Sequence, residues 1–549
     1  MTWTTHTVIN QVPALRDVNL YDTDLALQEG VRRLTADRYQ DELRRYGQLI
    51  GTDQARWQAD QANRYPPVLQ AWDAQGHRQD RVQFHPAWHS LLKTGFSHGL
   101  HCSAWSGRPH ASVGRAAHYL LHGQIEAGTL CPMTMTSAAI PLLRGDRRFD
   151  ALIQKMHSPD YDERDIPWIQ KSSAMVGMGL TEKQGGSDLR GTLTQARTAD
   201  ISVTASQDGA SGSHYLLTGH KWFFSSPTSD AHLVLAAHEQ DLSCFFVSRW
   251  REDGTRNSIF IQRLKDKVGN RSNASAEVEF QDASGILIGE PGRGIALLVQ
   301  MASYTRLDCV LGSSALLRQA VVQAVHHARY RSAFGKPLIQ HPLMQTVLVD
   351  LALESEAAST LALSLAASFD EDNERALAYR RIVTPAAKFW VCKRTVQAVA
   401  ECMEVLGGNG YVEDGPLARL YREAPVNSIW EGSGNVMCLD VLRALDRHPE
   451  LAAVLVGDLA EVCRKDPVLD GPYNAFVAAL DQKGDNQGRA RWLSAQLVLL
   501  VQAALLRRHA PQKVADAFVN SRFTGLSGVT GGMAVDDDAT FLLNRAWPQ

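Results

Sequence analysis

The sequence predicts an α+β fold, mainly α, in which a central antiparallel β-sheet or small barrel lies between helical regions. Two observations predict it. Residues 63–178 and 295–445 are rich in Ala and Leu at helical spacing. Residues 199–289 instead carry short β-branched and aromatic runs, separated by turn segments such as QDGASGS and EDGTRN. The order along the chain is therefore helices, strands, helices and, after residue 445, further helices.

The length of 549 residues predicts several domains, at about 100–200 residues each. Changes in texture place the boundaries. We expect an N-terminal arm or extension at 1–62, a helical domain at 63–179, a β-barrel-like domain at 180–290, a helical bundle at 291–445 and an extra helical domain at 446–549. The predicted strands, about six to eight in all, include the runs HYLLTGHKWFFSS, AHLVLAA, LSCFFVS, SIFIQRL and SAEVEF.

Composition and charge disfavour several classes of protein. A net charge of -3 argues against a surface that coats nucleic acid, although it leaves room for a local basic patch. The eight cysteines are dispersed without a C-x-x-C pair, which favours a reducing compartment. The N-terminus lacks the features of a secretory signal. The most apolar stretch, Leu493–Leu506, is too short to span a bilayer and predicts a buried helix. We therefore expect a cytoplasmic protein without a membrane segment.

The common motifs for nucleotides, metals and nucleophilic catalysis are missing from the sequence. It has no G-x-G-x-x-G after a strand, no P-loop, no H-E-x-x-H and no G-x-S-x-G. The pair His326–His327 is the nearest approach to a histidine cluster, and a helix face explains it better than a ligand set. We therefore expect no metal site.

Two segments near the predicted sheet combine glycine, hydroxyl and aromatic residues. In Met178–Asp188 the glycines would let backbone approach a flat or anionic ligand, with Thr181 and Ser187 as hydrogen-bonding groups. An ordinary turn is the alternative. In Gly219–Ser226 the strand aromatics either belong to the core or form a stacking surface for a ring cofactor.

Two further segments lie in the second helical region. Arg329–Pro337 combines arginine with backbone donors, which suits a pyrophosphate, or else it is a basic helix C-terminus. The other runs from Glu404–Tyr411 to Ser428–Asn435. It places Glu431 between an aromatic residue and a glycine, where a carboxylate in an apolar cleft could act as a base. A solvated loop glutamate is the alternative.

Together and in this order, these segments resemble the acyl-CoA dehydrogenase family. The resemblance implies an N-terminal helical domain, a central β domain and a C-terminal four-helix bundle. Within the family, the chain is most similar to the AidB branch of adaptive-response flavoproteins, over nearly its whole length. That similarity rests on the extra C-terminal helical domain and on Thr5–Asn10, Phe84–His89, Glu182–Gly186, Arg263–Lys267 and Pro425–Asn435.

The resemblance implies a bound FAD and a homotetramer with FAD sites at the subunit interfaces. Arg331 and Phe334 would reach the FAD of a neighbouring subunit, and Gly407 and Gly408 would approach the pyrophosphate. The remaining implied cofactor residues are Leu180, Thr181, Gly186, Ser187, Phe223, Ser225, Trp430, Ser433 and Asn435. Three positions depart from the family pattern, namely Lys183 for proline, and Pro342 and Glu404 for glutamine.

The resemblance also implies the reaction, the α,β-dehydrogenation of a short or branched acyl-CoA thioester. Glu431 would be the catalytic base that removes an α-proton while a hydride passes from the β-carbon to the flavin. Arg306 would lie beside the substrate cleft, with a pairing to Asp308 or a helix-surface role as the alternative.

A second function stays open beside the first, a flavoprotein that binds double-stranded DNA and protects it from alkylation damage. The resemblance assigns this binding to the C-terminal domain. From residue 441 onward, however, twelve basic residues face twelve acidic ones, which is weak support for phosphate binding. The candidate DNA contacts are Arg443, Arg489, Arg491, Arg507, Arg508, Lys513 and Arg522.

Overall fold

The computed structural model describes residues 4–199, 214–482, 486–525, 528–532 and 538–548. The predicted turn QDGASGS at 207–213 lies outside these ranges. The chain divides into two compact units. We call residues 54–111 and 126–308 the β unit, and residues 1–53, 112–125 and 309–549 the helical unit.

Helices dominate the chain. In chain order they are α1 Leu25–Thr35, α2 Gln40–Ile50, α3 Asp53–Arg64, α4 Pro86–Ser97, α5 Ala111–Gly123, α6 Leu130–Leu143, α7 Asp150–Met156, α8 Gly294–Tyr330, α9 Pro342–Ser368, α10 Glu374–Ala378, α11 Thr384–Val405, α12 Gly408–Tyr411, α13 Pro416–Glu423, α14 Gly434–Arg447, α15 Pro449–Cys463, α16 Asp470–Leu480, α17 Ala490–His509, α18 Gln512–Phe523 and α19 Ala539–Ala546. None of the described helices is long and apolar enough to cross a membrane.

The strands of the main sheet follow the predicted runs. They are β3 Val176–Gly179, β4 Gln195–Thr198, β5 His214–Ser225, β6 Ala231–His238, β7 Asp241–Ser248, β8 Ile259–Leu264 and β9 Ser275–Ile288. The strands β6, β4, β5, β9 and β7 pair in sequence, and β7 pairs again with β6. The sheet therefore closes on itself, and β3 and β8 pair with β6 and β9 at its margins. The α+β class and the small barrel are confirmed.

The sheet is antiparallel, as expected, except at β6, which pairs in parallel with two strands. β4 meets it at a single position, Gln195 opposite Ala237. β3 runs parallel to β6, with Val176 opposite Ala231 and Gly179 opposite Val234. Because β3 enters the sheet from the preceding helical region and not through a hairpin, no tight turn fixes its direction. The strand β6 is buried along most of its length, as its continuous apolar sequence requires.

A small hairpin interrupts the region that was predicted to be mostly helical. β1 Val68–Trp72 pairs with β2 Arg78–Gln83 in antiparallel register. A turn closes it, in which the Asp73 carboxylate accepts backbone hydrogen bonds from Gln75 and His77. The strands are short and half exposed, so the hydrophobic pattern that marks a buried strand is weak there. A further two-residue ladder, β10 Ser332–Ala333 with β11 Lys336–Pro337, forms the turn after α8.

The most apolar segment is a buried helix, as predicted. α17 contains Leu493–Leu506 and packs within the helical unit against α9, α11, α14, α15 and α18. The extra C-terminal helices therefore share one core with the bundle helices. All eight cysteines are buried free thiols.

A buried carboxylate organises part of the β unit. Glu126 is fully buried, and its oxygens accept hydrogen bonds from Asn63, Gly128, Thr129 and Ser272 at 2.7–3.1 Å. Burial alone would raise the pKa of Glu126, but the hydrogen bonds from Ser272, Thr129 and Gly128 outweigh burial and lower that pKa. Glu126 thus joins α3, the start of α6 and the segment before β9.

The Glu126→Gln variant should lower the free energy of unfolding of the β unit by about 1–3 kcal/mol. The reason is that the new amide group would place a donor against the N–H and O–H donors around it. Urea denaturation followed by circular dichroism measures the change. Glu252→Gln, at an exposed position of the same unit, should leave the transition unchanged. Equal transitions for both variants would refute the role of Glu126.

Candidate functional site

One buried ion pair holds the segment that follows β3. Lys221 on β5 is fully buried, and its Nζ donates 2.6 Å to Oε1 of Glu182, whose side chain is 1% exposed. The same ammonium group donates to the carbonyls of Leu235 on β6, at 2.8 Å, and Leu180, at 3.4 Å. Glu182 also accepts from the backbone N–H groups of Leu193 and Thr194. The pair therefore fixes residues 180–182 against β5 and β6.

The two charges of this pair stabilise each other. Burial alone would raise the pKa of Glu182, yet the Lys221 ammonium and the hydrogen bonds from Lys221 and Thr194 lower it to about 2. Burial lowers the pKa of Lys221 to about 8, against the opposing pull of Glu182. Both groups are therefore ionised at neutral pH.

The cofactor residues predicted in the β unit lie close to this pair. Leu180 and Thr181 are half-buried, whereas Gly186 and Ser187 are exposed. The Thr181 carbonyl accepts a hydrogen bond from the backbone N–H of Trp222, which places Thr181 beside β5. On that strand Phe223 is 51% exposed, and the Ser225 hydroxyl lies 3.4 Å from that of Ser275.

These residues fit the flavin that the resemblance implies. The Phe223 ring is half exposed on its strand, with the Lys265 ammonium 4.7 Å from its centroid, and the exposed part of the ring could stack on a flavin. A Cβ on Gly186 would meet the Thr181 side chain at 2.9 Å, so the chain folds over Thr181 only because residue 186 is glycine. The exposed backbone and hydroxyl of Ser187 suit a phosphate. The aromatic ring and one hydroxyl thus belong to β5, and the Thr181 backbone is hydrogen-bonded beside that strand.

In the helical unit, two exposed glycines follow α11. Gly407 has φ +60°, a left-handed conformation that favours glycine, and both Gly407 and Gly408 face open space on the side a Cβ would occupy. Glu404, which stands where the family has glutamine, is exposed at the end of α11. Backbone at this corner is therefore open to a ligand.

The turn after α8 is fastened by the N-terminal segment. The Asn10 side chain donates to the Ser332 carbonyl and accepts from the Ser332 N–H, both at 2.8 Å, and Arg331 donates to the Asn10 carbonyl. Phe334, at the tip, is 97% exposed. A fully exposed phenylalanine on a rigid turn is suited to contact with another molecule.

Glu431 lies in the short link between the 3₁₀ turn Ala424–Ser428 and α14. It is half-buried and has φ +59°. Trp430, just before it, donates from Nε1 to the Asn427 side chain at 3.0 Å. Ser433 precedes α14 without capping it through its side chain, so its hydroxyl is not used in the cap.

The structure brings together two residues that were predicted to contact different ligands. Asn435, expected beside the cofactor, accepts a hydrogen bond from Nε of Arg491, expected at DNA, at 2.8 Å. This contact ties the start of α17 to the first turn of α14, directly after the link that carries Glu431. Arg306 lies half-buried in α8, and Asp308 accepts a hydrogen bond from Thr134 at 2.7 Å.

Most of the candidate DNA contacts are engaged in ion pairs within the helical unit. Arg507 pairs with Asp466 and Asp516, and Arg508 with Asp458 and Glu461. Lys513 pairs with Asp538, and Arg522, whose side chain is only 10% exposed, pairs with Asp350 and Glu354. Arg443, Arg489 and Arg491 contact neutral groups.

Sequence reasoning missed several residues that position the site. Lys221 and Glu182 lie inside recognised motifs, but nothing in the pattern shows that they meet. Asn10 belongs to the recognised opening run, which gives no hint of its contact with residue 332. Within the described ranges, no group of three or more His, Cys, Asp or Glu side chains could hold a metal ion.

Three family models match the chain. They are the adaptive response protein AidB N-terminal domain at residues 10–163, the acyl-CoA dehydrogenase middle domain at 177–283 and the acyl-CoA dehydrogenase C-terminal domain at 292–445. A protein of Escherichia coli (strain K12) named "Putative acyl-CoA dehydrogenase AidB" is 46% identical over 552 residues, which cover 100% of this chain and 99% of that protein.

Two solved structures share the fold at a TM-score of 0.82. One is Bd2924 in its apo-form, which is 26% identical over 91% of this chain and 100% of its own. The other is Caenorhabditis elegans ACDH-11 in complex with C11-CoA, which is 25% identical over 95% of this chain and 93% of its own.

The Lys221→Met variant should lower the free energy of unfolding by about 3–5 kcal/mol, because Glu182 would stay buried without its counter-ion. The matched control is Arg197→Gln, which breaks an exposed pair with Asp282 and should cost less than about 1 kcal/mol. Urea denaturation compares the two. Similar losses of unfolding free energy in the two variants would show that the buried pair stabilises the fold no more than the exposed pair does.

Acid should weaken the contribution of Glu182. Its folded-state pKa is lowered to about 2 from an ordinary 4.5, so the stability it contributes is complete above pH 4.5 and is lost as the pH falls through about 2. The difference in urea midpoint between wild type and Glu182→Gln should therefore shrink as the pH is lowered from 4.5. A difference that stays constant with pH would contradict this linkage.

Proposed function

The chain belongs to the acyl-CoA dehydrogenase family, and from that premise we propose that it dehydrogenates the α,β bond of a short or branched acyl thioester, with Glu431 as the base. The family consists of FAD-dependent oxidoreductases. The observation that carries the proposal is the conformation of Glu431. A glutamate held at φ +59° is strained, and such strain in a non-glycine residue is concentrated at functional sites.

The chain's own residues have three tasks in this reaction: they take the α-proton, hold the flavin and leave room for its pyrophosphate. Glu431 takes the α-proton on its carboxylate as the C–H bond breaks. Bound FAD supplies the acceptor for the hydride that leaves the β-carbon, so that proton and hydride together account for the new double bond. In the β unit, Thr181, Ser187, Phe223 and Ser225 would hold the flavin. Gly407 and Gly408 would leave room for the pyrophosphate.

The family and its relatives support an acyl-CoA thioester as the proposed substrate class. The structure of ACDH-11 contains C11-CoA, which extends the range of acyl chains worth testing beyond short and branched ones. Arg306 stays our candidate for the residue beside the substrate.

The assembly and the compartment are part of the same proposal. Phe334 and the Arg331 turn present an exposed apolar tip on a rigid base, which suits a partner subunit in a homotetramer. Eight buried free thiols suit a reducing cytoplasm.

Binding of double-stranded DNA is the weaker candidate. Four of the seven predicted basic contacts are neutralised by carboxylates, which removes most of the charge that phosphate binding requires. Reversing the charge of Arg507 or Arg508 would also place new carboxylates beside existing ones. Neutral variants of Arg443 and Arg489 are therefore the better test.

Glu431→Gln should abolish reduction of the bound flavin by substrate, because an amide cannot take the α-proton. Anaerobic flavin absorbance, titrated with short, branched and C11 acyl-CoAs, measures it. Glu374→Gln, an exposed change on α10 of the same unit, should reduce like wild type. Flavin that bleaches normally in the Glu431→Gln variant would overturn the assignment.

Duplex DNA binding should show a shallow salt dependence if it occurs. Three basic candidates are not paired to carboxylates. The slope of log K against log salt should therefore be no steeper than about -3 per protomer. Fluorescence anisotropy at several salt concentrations measures the slope. A steep slope that Arg443→Gln and Arg489→Gln together reduce would instead support a DNA-binding protein.

A further inference from the structure

A buried lysine holds both carbonyls that flank Glu431. Lys388 lies on α11 and is fully buried. Its Nζ donates 2.6 Å to the carbonyl of Trp430, and it also donates to the carbonyl of Gly432. One ammonium group thus spans the residue before the glutamate and the residue after it.

This arrangement differs from that of the other two buried lysines among the described residues. Lys221 and Lys171 each face a carboxylate, Glu182 at 2.6 Å and Asp230 at 2.8 Å. Among the described residues, Lys388 has backbone carbonyls as its hydrogen-bond partners and no carboxylate within salt-bridge distance. Burying an ammonium group without a counter-ion is expensive. The location of that charge therefore calls for a reason beyond core packing.

The backbone between the two carbonyls is strained. Glu431 has φ +59° and Gly432 has φ +101°, so two successive residues adopt left-handed conformations. The φ of Gly432 favours glycine whatever the space around it, and a Cβ there would also displace the terminal methyl of Met437, 2.4 Å away. The left-handed conformation of a glutamate is unfavourable in itself. An added interaction must hold it.

The two carbonyls bracket the backbone of Glu431 and Gly432. The Trp430 carbonyl lies in the peptide plane before Glu431, and the Gly432 carbonyl lies in the plane after Gly432. The Lys388 ammonium restrains both of these planes at once, from a helix that packs against α14 and the 3₁₀ turn Ala424–Ser428. The two residues between the planes are therefore held in place, and with them the Cα–Cβ direction of the glutamate.

We propose that Lys388 is the positioning residue of Glu431, which it aims by clamping the carbonyls of Trp430 and Gly432. The proposal rests on the proposed function of Glu431 as the base. Lys388 does not touch the substrate in this scheme. Its ammonium group is bound to the backbone on both sides of the glutamate, so replacing it removes a positive charge from that neighbourhood.

The test compares Lys388→Met with wild type as the FAD-loaded protein. We expect the single-turnover rate of flavin reduction to fall about 100-fold, since a misaimed catalytic group loses rate of that order. The affinity for a non-reducing acyl-CoA analogue should change less than about threefold, because Lys388 lies outside the substrate contacts. The acidic limb of the pH–rate profile should move to higher pH, because the carboxylate loses a nearby positive charge.

A readout independent of turnover comes from hydrogen exchange. The amides of residues 429–433 should exchange faster in Lys388→Met, since the link is no longer held. Lys393→Met is the matched control. Lys393 lies on the same helix, is partly exposed, and donates to neither carbonyl. This control should keep the rate within about twofold, with unchanged pH profile and exchange.

The outcomes separate the two proposals. If Glu431→Gln still reduces flavin, the proposed function fails whatever Lys388 does. If Glu431→Gln is inactive but Lys388→Met keeps the wild-type rate, pH profile and exchange, the positioning role is overturned. Should Lys388→Met not fold, Lys388→Gln retains one donor and is expected to give an intermediate rate with the same shift of the pH profile. A wild-type rate and profile in that variant would overturn the proposal equally.

Discussion

The ion pair between Lys221 and Glu182 is the constraint on which the β unit's part of the site depends. It joins β5, β6 and the segment after β3 through a charge that is completely removed from water. Removing either partner would leave the other charge buried without a counter-ion, so the two residues stabilise the fold only together. Thr181 directly precedes Glu182, and Phe223 follows Lys221 on β5, so the pair holds backbone that carries two of the candidate cofactor residues.

The helical unit solves a related problem in a different way. There the buried Lys388 binds two carbonyls, and the result is a strained glutamate in a defined orientation. One lysine thus stabilises a loop by neutralising a carboxylate, and the other does so by restraining backbone. In both cases the long lysine side chain reaches from a regular element to an irregular link, which regular secondary structure alone could not fix.

Several arginines of the C-terminal helices form ion pairs that hold helices together, and they contribute less to the electrostatic potential of the surface. Arg507 and Arg508 on α17 reach acidic residues before and after that helix, and Arg522 on α18 reaches two acids on α9. These pairs attach the last helices to the bundle. The twelve basic residues of the region are matched by twelve acidic ones, so the region carries no net positive charge. The contact of Arg491 with Asn435 extends the attachment to the first turn of α14, directly after the link that carries Glu431.

The sequence by itself determined the order of helices and strands, the buried helix α17 and the motifs that carry the family resemblance. These features are local, since hydrophobic period and turn residues are legible within a few positions. It did not determine the parallel pairing of β3, the hairpin at residues 68–83 or the neutralisation of the C-terminal arginines. Nor could it show that Lys388 lies against Trp430 and Gly432, or that Asn10 clamps the turn at Ser332. Those contacts join residues far apart in the chain, and only the tertiary structure, through burial and register, decides which of them meet.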